Sequence, residues 1–312
     1  MPRVWVTGEA LIDFIPVPTP LGTGYVPRCG GSPYNAAKAC ARLGADVSFI
    51  GPISTDLFGE RLERDLRDFG VDTSQAARVA HPTTLAFVDY CGKDARYAFF
   101  NTGSATQLTA PDAFPGAIGP GELMHLGSIS LIDRPGAETI ADFALRQPRD
   151  VLISLDPNVR AGMIVQIDDW RARIERLLAR ADIVKLSDED LDFISPGLSP
   201  QDFCQRQLAR GSCLVAVTLG AAGMCLATRS AQIAVPALAG DIIDTVGAGD
   251  TVTGALLADL SRRPFTSEAI AALGSRELRQ FGTRAMAAAW LNCQFSGCQP
   301  PDERSLCDLL PA

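Results

Sequence analysis

Residues 244–250 read Asp-Thr-Val-Gly-Ala-Gly-Asp and run into a helix-prone stretch. Gly247 and Gly249 allow a tight turn that brings backbone N–H groups close to a ligand, since glycine accepts positive φ at little steric cost. The first turn of the following helix adds unpaired N–H donors and the positive end of its dipole, which favour a phosphate. The segment therefore predicts a phosphate cradle made by the N–H groups of Gly247, Ala248 and Gly249.

Asp250 stands in the mouth of this predicted cradle, where a phosphate would repel its carboxylate. One reason to place a carboxylate there is base chemistry on a hydroxyl group that attacks the phosphate. The alternative is a purely structural one, because aspartate is also a favoured helix N-cap. Residues 244–250 alone do not decide between the two interpretations.

A second glycine pair, Gly30 and Gly31, precedes another helix-prone stretch, Ser-Pro-Tyr-Asn-Ala-Ala. Ser32 suits the N-cap position and Pro33 the first helical position. Asn35 then falls in the first turn, where its amide can donate to and accept from a polyhydroxylated ligand. The second glycine-rich segment thus favours the chemical interpretation of Asp250 over the purely structural one.

These two segments, in this order and spacing, resemble the two signatures of the ribokinase-like, or PfkB, carbohydrate kinases. The resemblance covers nearly the whole chain, and it is closest to the fructokinases in Leu-Gly-Ser-Ile-Ser-Leu-Ile and Asp-Pro-Asn-x-Arg. The other matching segments are residues 8–13, 125–132, 156–160, 185–190 and 218–223.

The resemblance implies a sugar kinase in which Asp250 takes the proton from a primary sugar hydroxyl as that hydroxyl attacks the γ-phosphate of ATP. It places sugar hydroxyls against one set of residues: Asp13, Gly30, Gly31, Asn35 and Arg160. It places the nucleotide against a second set: Ser187, Thr218, Gly220, Gly223, Gly247 and Gly249. At three positions a purely structural role is the alternative to ligand binding. Asp13 could belong to a strand-end turn, Arg160 to a surface ion pair, and Gly220 to a hairpin turn.

Two departures from the family pattern concern metals and sugar identity. The Asn-x-x-Glu signature associated with Mg²⁺ is replaced by Ser187 and Asp190, which leaves Asp190 as the candidate for a metal-bound water. Asn101 begins the segment that replaces the fructokinase Arg-Asn-Pro-Ser-Ala-Asp. Many relatives also need a monovalent cation such as K⁺, for which Asp244 and the Val246 carbonyl are the candidate ligands.

Short apolar runs of strand length alternate with patterns of helical spacing along the chain. The runs occur at residues 4–6, 47–50, 151–155, 183–186 and 214–217. Near-continuous apolar strands need a sheet covered on both faces, so the pattern predicts a mostly parallel doubly wound α/β layer. We expect one domain over residues 1–312, with a central ribokinase-like sheet flanked by helices.

Residues 14–30 and 83–101 break this alternation, because they are strand-like segments without helical partners. The second segment reads as a β-hairpin around Gly92. Together they predict a small β-sheet lid, which in the resembling family covers the sugar and often mediates dimerisation. We therefore expect a homodimer formed through the lid.

Composition limits the partners. The net charge of −8 argues against nucleic acid or an anionic membrane, since both require clustered Lys and Arg. No apolar run approaches the length of a membrane span, and nine scattered cysteines suit a reducing compartment, so we expect a cytoplasmic protein. The Walker A and protein-kinase motifs are absent from the sequence, and a dinucleotide fingerprint is not supported.

The sequence therefore predicts an ATP-dependent kinase of fructose, phosphorylated at O6, with ATP and Mg²⁺ as cofactors. Within the same family, a 2-keto-3-deoxygluconate kinase would use Arg160 to read the substrate carboxylate, and a ribokinase is a further alternative. A sugar or nucleotide sensor without turnover is an alternative of a different class, because Ser187 and Asp190 could impair metal binding.

Overall fold

The computed structural model describes residues 2–91 and 94–310. Its strands in this part of the chain are β1 (Val4–Val6), β2 (Leu11–Thr19), β3 (Gly22–Gly30), β4 (Val47–Phe49), β5 (Ile53–Ser54), β6 (Arg78–Val79), β7 (Thr84–Cys91), β8 (Asp94–Phe100), β9 (Leu123–Gly127), β10 (Leu152–Asp156), β11 (Ile183–Ser187), β12 (Leu214–Thr218), β13 (Met224–Ala227) and β14 (Gln232–Val235). Eight of them form one large sheet in the order β14-β13-β12-β11-β10-β9-β1-β4.

The large sheet is parallel from β4 to β12, and only β13 is reversed, because it pairs antiparallel with both β12 and β14. Strands β9, β10 and β13 are buried at every position. This burial explains the continuous apolar runs, because a parallel sheet is covered by helices on both faces. The carboxyl ends of the parallel strands therefore lie at one edge, where open α/β sheets bind ligands.

The helices in the described residues are α1 (Ser32–Arg42), α2 (Leu57–Asp68), α3 (Gly136–Arg146), α4 (Ile167–Arg180), α5 (Asp188–Ile194), α6 (Pro200–Ala209), α7 (Ala248–Ser261), α8 (Ser267–Ala271), α9 (Ser275–Asn292) and α10 (Glu303–Leu309). They divide the core into two clusters, one on each face of the sheet. Side chains of α1, α2, α7 and α9 pack in the first cluster, and those of α3, α4 and α6 in the second.

A second sheet of four strands, β3-β2-β7-β8, stands apart from the large one, and we call it the small sheet. Strand β2 pairs in parallel with β7 and antiparallel with β3. Phe14 on β2 stacks on Phe87 at a centroid distance of 4.6 Å and meets Phe58 of α2 edge-on at 5.7 Å. These rings attach the small sheet to α2 and so to the body.

The structure confirms the predicted fold class, a mostly parallel sheet between helices with a smaller sheet beside it. The predicted hairpin of residues 83–101 corresponds to β7 and β8, although Gly92 itself lies outside the described residues. Strand β9 was not predicted, because the segment was interpreted only for its resemblance. Among the described residues, no helix combines the length and the apolar character needed to cross a membrane.

Candidate active site

Asp250 is the third residue of α7, and Gly247 occupies the N-cap with a left-handed backbone of φ 76°. The helix has no side-chain cap at its N-terminus. The interpretation of Asp250 as the N-cap is therefore wrong. A Cβ atom at position 247 would lie 2.5 Å from the Sγ atom of Cys298, so both the φ angle and the packing require glycine there.

The carboxylate of Asp250 receives hydrogen bonds from the other glycine-rich segment. The Ser32 hydroxyl donates to Oδ1 at 2.7 Å, and the Asn35 amide donates to Oδ2 at 2.9 Å. The Asn158 amide donates to the Ser32 hydroxyl at 2.7 Å and to Asp250 Oδ1 at 3.3 Å. The fold thus brings together three segments that are far apart in sequence, with one carboxylate at their centre.

These contacts fix the orientation of Asp250, while burial sets its protonation. Burial raises its pKa, in opposition to the hydrogen bonds from Ser32 and Asn35 and to the charge of Lys185, which lower it. Only 7% of the residue is exposed. A buried carboxylate with a raised pKa, held by three donors, is suited to accept a proton from a hydroxyl group placed beside it.

Lys185 is also buried, and its charge acts on the carboxylate of Asp250. Its Nζ atom donates to Asp156 Oδ2 at 2.8 Å, and the Thr253 hydroxyl donates to the same oxygen at 3.2 Å. Burial opposes the charge of Lys185, but the carboxylates of Asp156, Asp190 and Asp250 outweigh it and raise the lysine pKa. The ammonium group therefore remains charged, and its Nζ lies 3.0 Å from a Cβ atom built on Gly249.

The turn before α7 keeps several N–H groups free. Within the described part of the chain, the N–H groups of Gly247, Gly249 and Asp250 have no hydrogen-bond partner. The N–H of Ala248 instead donates to the carbonyl of Thr245 at 3.1 Å. The N–H groups of Gly247 and Gly249 are therefore free to face a ligand, whereas that of Ala248, predicted as a third donor, closes the turn.

Asp13 lies in β2 of the small sheet and faces the same site. Burial raises its pKa to about 6, the charge of Arg160 lowers it, and the charge of Asp250 raises it further. A Cβ atom at Gly30 would lie 2.3 Å from Asp13 Oδ2. Asp13 is the third residue of a nine-residue strand, so the interpretation of Asp13 as part of a strand-end turn is wrong.

Arg160 is exposed, and its guanidinium contacts its own loop. Nη1 donates to the Val159 carbonyl at 3.2 Å and to the side-chain and backbone oxygens of Asn158. No carboxylate of the described residues forms an ion pair with it, so the surface ion-pair interpretation is wrong. Most of its N–H donors face outward, where a ligand can reach them.

The residues predicted for the nucleotide lie together further along the same sheet edge. Ser187 ends β11 and Thr218 ends β12, and the two are paired in register. Gly220 begins the turn into β13, which confirms the hairpin interpretation. A Cβ atom at Gly223 would lie 2.0 Å from the Val235 carbonyl oxygen, so this glycine is required for packing.

The carboxylate of Asp190 is occupied by the protein itself. Oδ1 accepts the N–H of Val159 at 2.7 Å and Oδ2 accepts that of Ser187 at 2.9 Å, while the Ser187 hydroxyl accepts the N–H of Asp190. Ser187 and Asp190 thus form a capping box for α5. Within the described residues, no three side chains of His, Cys, Asp or Glu form a group that could hold a metal ion.

The predicted ligands of a monovalent cation are occupied in the same way. Asp244 accepts the N–H of Val246 at 3.0 Å and that of Gly297 at 2.8 Å. The carbonyl of Val246 accepts the side-chain amide of Asn292 at 2.8 Å. These hydrogen bonds stabilise the loop before α7, and each of the three oxygens still has a lone pair that could face a cation.

Comparison with known proteins identifies the family to which this chain belongs. The sequence model described as "pfkB family carbohydrate kinase" matches residues 1–304. The chain belongs to the pfkB family of carbohydrate kinases. Such enzymes transfer a phosphoryl group to an alcohol group of a sugar, so the prediction of an ATP-dependent sugar kinase similar to fructokinases is confirmed.

Relatives and solved structures agree on this assignment. A fructokinase of Rhizobium leguminosarum bv. trifolii is 38% identical over 274 residues, which cover 87% of this chain and 84% of that protein. A fructokinase from Xylella fastidiosa with bound ATP superimposes with a TM-score of 0.89 at 26% identity over 99% of each chain. A fructokinase double mutant from Vibrio cholerae O395, bound to fructose, ADP and potassium, gives 0.86 at 30% identity over 99% of this chain and 98% of that one.

The kinase departs from the sequence prediction at Ser32, which is not an N-cap. Gly31 is the N-cap of α1, with φ 112°, and a Cβ atom there would lie 2.5 Å from the Glu9 carbonyl oxygen. The Glu9 carboxylate takes the capping role instead, since it accepts the N–H of Ser32 at 3.0 Å and that of Ser130 at 3.1 Å. This leaves the Ser32 hydroxyl free to contact Asp250.

Glu9 should give the kinase a measurable pH dependence of stability. Burial raises its pKa to about 7, against backbone hydrogen bonds that lower it, whereas an unfolded glutamate titrates near ~4.3. The fold thus favours the protonated form, and this stabilisation, complete below about pH 4, is lost as the pH rises through 7. Between pH 5 and 8, the free energy of unfolding of the wild type should fall because Glu9 titrates. In Glu9→Gln this fall should be smaller by about 2 to 3 kcal/mol.

Urea unfolding at several pH values measures this slope directly. Glu60→Gln, at an exposed position of α2, is the matched control and should keep the wild-type slope. The NH₂ group of the glutamine cannot accept a hydrogen bond from either of the two backbone N–H groups that now bind Glu9. One of them loses its partner, so Glu9→Gln is expected to be less stable than the wild type at pH 5. Parallel curves for wild type and Glu9→Gln would assign the pH dependence to another group.

Sequence reasoning missed several residues of the kinase site. Asn158 was visible within Asp-Pro-Asn-x-Arg but received no role, and its backbone has an unusual positive φ of 38°. Lys185 was quoted only as part of a matching segment, and its pairing with Asp156 was not predicted. An isolated lysine inside an apolar strand was the available signal, because such a charge needs a buried partner.

Proposed function

We propose that this chain is an ATP-dependent fructokinase that transfers the γ-phosphoryl group of ATP to O6 of D-fructose, with Asp250 as the base. The observation that carries the proposal is the buried Asp250 carboxylate, held by Ser32 and Asn35 next to the unpaired N–H groups of Gly247 and Gly249. The curated relatives named fructokinase, at up to 38% identity, support fructose as the sugar.

The proposed reaction is a single phosphoryl transfer. Asp250 accepts the proton of the O6 hydroxyl as a bond forms between O6 and the γ-phosphorus. The bond from that phosphorus to the bridging oxygen breaks, and ADP leaves with the electron pair. The N–H groups of Gly247 and Gly249 stabilise the negative charge that moves toward the leaving oxygen. Positioning and electrostatics supply most of the acceleration in such a transfer.

The sugar is proposed to lie between the small sheet and α1. Asp13 would accept hydrogen bonds from its hydroxyl groups, and Gly30 and Gly31 would allow it to approach the backbone. Asn35 already donates to Asp250, and its carbonyl oxygen has no partner among the described residues, which leaves an acceptor for a hydroxyl group. Arg160 would close the site with its outward-facing donors.

The nucleotide is proposed to lie along Ser187, Thr218, Gly220 and Gly223, with its phosphates at the cradle. Mg²⁺, when bound with ATP, would supply positive charge that offsets the charge of the phosphates. Because both oxygens of Asp190 already accept backbone N–H groups, we propose that the phosphates and water, rather than this carboxylate, supply the ligands of Mg²⁺. We assign no step to a monovalent cation at Asp244 and Val246.

We further propose that the small sheet serves as a lid and as the interface of a homodimer, within a single domain of residues 1–312. The aromatic cluster of Phe14 and Phe87 continues away from α2 to Tyr25, which is 44% exposed, and Phe100, which is 61% exposed, and both of these rings pack on Phe87. Phe100→Asp should shift the protein from dimer to monomer in light scattering. Val165 is also apolar and is 83% exposed, but it lies outside the small sheet, so Val165→Asp should leave the dimer intact. A monomeric wild type would contradict this proposal.

The first experiment is ADP release from Mg·ATP with fructose, mannose, glucose, ribose, 2-keto-3-deoxygluconate and adenosine. Turnover should be highest with fructose. Preference for 2-keto-3-deoxygluconate would retain the mechanism and assign Arg160 to the substrate carboxylate. If calorimetry shows ATP and sugar binding while no sugar is phosphorylated, the protein is a sensor and the proposal fails.

A further inference from the structure

A broad groove of about 960 Å³ lies at the end of α7 remote from Asp250, between that end, the first half of α9 and α10. Five arginines line it: Arg262, Arg263, Arg276, Arg279 and Arg284. This local excess of arginine contrasts with the acidic composition of the chain, which has 28 basic and 36 acidic residues. Helix α7 has 14 residues, so its two ends are about 20 Å apart. The groove is therefore separate from the active site.

Three of these arginines are neutralised by neighbouring carboxylates. Arg284 binds Asp259 at 3.0 Å, Arg263 binds Glu277 at 2.7 Å and Arg262 binds Glu303 at 2.8 Å. Arg284 also reaches Glu303 at 2.9 Å. These carboxylates hold the three guanidinium groups in place and neutralise their charge.

Arg276 and Arg279 are different, because both are exposed and neither has an ion-pair or hydrogen-bond partner among the described residues. They are three residues apart on α9, so their side chains lie on one face of the helix. Five guanidinium groups and three carboxylates leave the groove with a net charge of +2. Phe281, over which Arg263 lies at 5.2 Å, adds an apolar surface.

We propose that this groove binds the phosphate of a small phosphomonoester through Arg276 and Arg279. A phosphate ester carries a charge of about −1.5 to −2 near neutral pH, which matches the charge of the groove. Two planar guanidinium groups on one helix face can each bind phosphate oxygens in bidentate fashion. The volume of the groove suits a small-molecule ligand.

The test compares three proteins by calorimetry at constant ionic strength, with inorganic phosphate and glycerol 3-phosphate as probes. An ATP analogue that cannot be hydrolysed is present at saturation, so that the cradle at Gly247 is filled. The test variant is R276Q/R279Q. The matched control is R64Q/R171Q, which removes two exposed arginines without a partner in the described residues from α2 and α4.

Both probes should bind the wild type at one site per chain, with glycerol 3-phosphate at least as tight as phosphate. R276Q/R279Q should weaken both at least tenfold, while R64Q/R171Q retains the wild-type affinity. Equal affinity in all three proteins, or no saturable binding to the wild type, would overturn the proposal. Equal weakening in both variants would show that the loss of affinity follows only from the lower net charge of the protein, and this result would also overturn the proposal.

Discussion

Replacing Asp250 with asparagine should lower kcat by about 10²- to 10⁴-fold, the range expected when a general base is lost. The affinity for ATP should change by only a small factor, because the cradle is made of backbone N–H groups. Asparagine has the shape of aspartate, but it cannot take a proton from the sugar hydroxyl. Steady-state kinetics with the preferred sugar, together with ATP binding by calorimetry, separates the two effects.

Local contacts should largely survive this substitution. The asparagine carbonyl can accept the Asn35 amide, and the Ser32 hydroxyl can reverse its role and accept from the new amide group. The 3.3 Å hydrogen bond from the Asn158 amide to Oδ1 is the contact that is lost. Asp259→Asn is the matched control, since Asp259 is buried on the same helix, paired with Arg284 and remote from the site. It should lose stability and keep kcat. An unchanged kcat in Asp250→Asn would show that Asp250 is not the base.

The same residue should control the acid side of the pH profile. The carboxylate is the active form, so kcat/KM falls as the pH decreases through the pKa of Asp250. Burial raises that pKa, and the decline should therefore begin at a higher pH than for an ordinary aspartate. The residual activity of Asp250→Asn should lack this decline.

Replacing Lys185 with methionine should lower the free energy of unfolding by about 3 to 5 kcal/mol, because it leaves the carboxylate of Asp156 buried without a counter-charge. The Nζ atom of Lys185 lies 2.8 Å from Asp156 Oδ2, and the two side chains are only 6% and 1% exposed. The Thr253 hydroxyl is the other hydrogen-bond donor to this carboxylate in the described residues. Urea unfolding at pH 7 measures the loss.

Lys185→Met should also change catalysis in a defined direction. The positive charge of Lys185 lowers the pKa of Asp250, so its removal should raise that pKa and move the acid decline of kcat/KM to higher pH. Asp156 has the opposite effect on Asp250. The double variant Asp156→Asn/Lys185→Met removes both charges, and it should recover part of the stability and move the decline back. Wild-type stability in the single variant would show that the pair is not coupled in the fold.

Much of the site could be predicted, because its residues follow rules that act locally. The apolar runs indicated the parallel strands, and parallel strands bring their carboxyl ends to one edge. The two glycine-rich segments predicted that Asn35 and Asp250 belong to one site, and the structure joins them by a hydrogen bond of 2.9 Å. The roles of these residues in catalysis stay predictions until they are measured.

The errors concern residues whose local preference was overridden by a distant partner. Ser32 follows a glycine pair and suits an N-cap, yet Glu9 supplies the cap and the Ser32 hydroxyl turns to Asp250. Asp250 suits the N-cap of α7, yet Gly247 occupies that position and the carboxylate of Asp250 binds Ser32 and Asn35. In each case a polar group that is buried must find its partner, and the partner comes from another segment.

The sequence by itself determined the class of fold, the family and the two turns, because strand period, helix period and the steric freedom of glycine are properties of neighbouring residues. Only the tertiary structure decided which oxygen accepts which donor around Asp250. Those contacts join residues up to 218 positions apart, and the protonation of Asp250, Lys185 and Glu9 depends on burial and on charges brought in by other elements. Burial and long-range pairing exist only once the chain has folded, and they set the chemistry of the site.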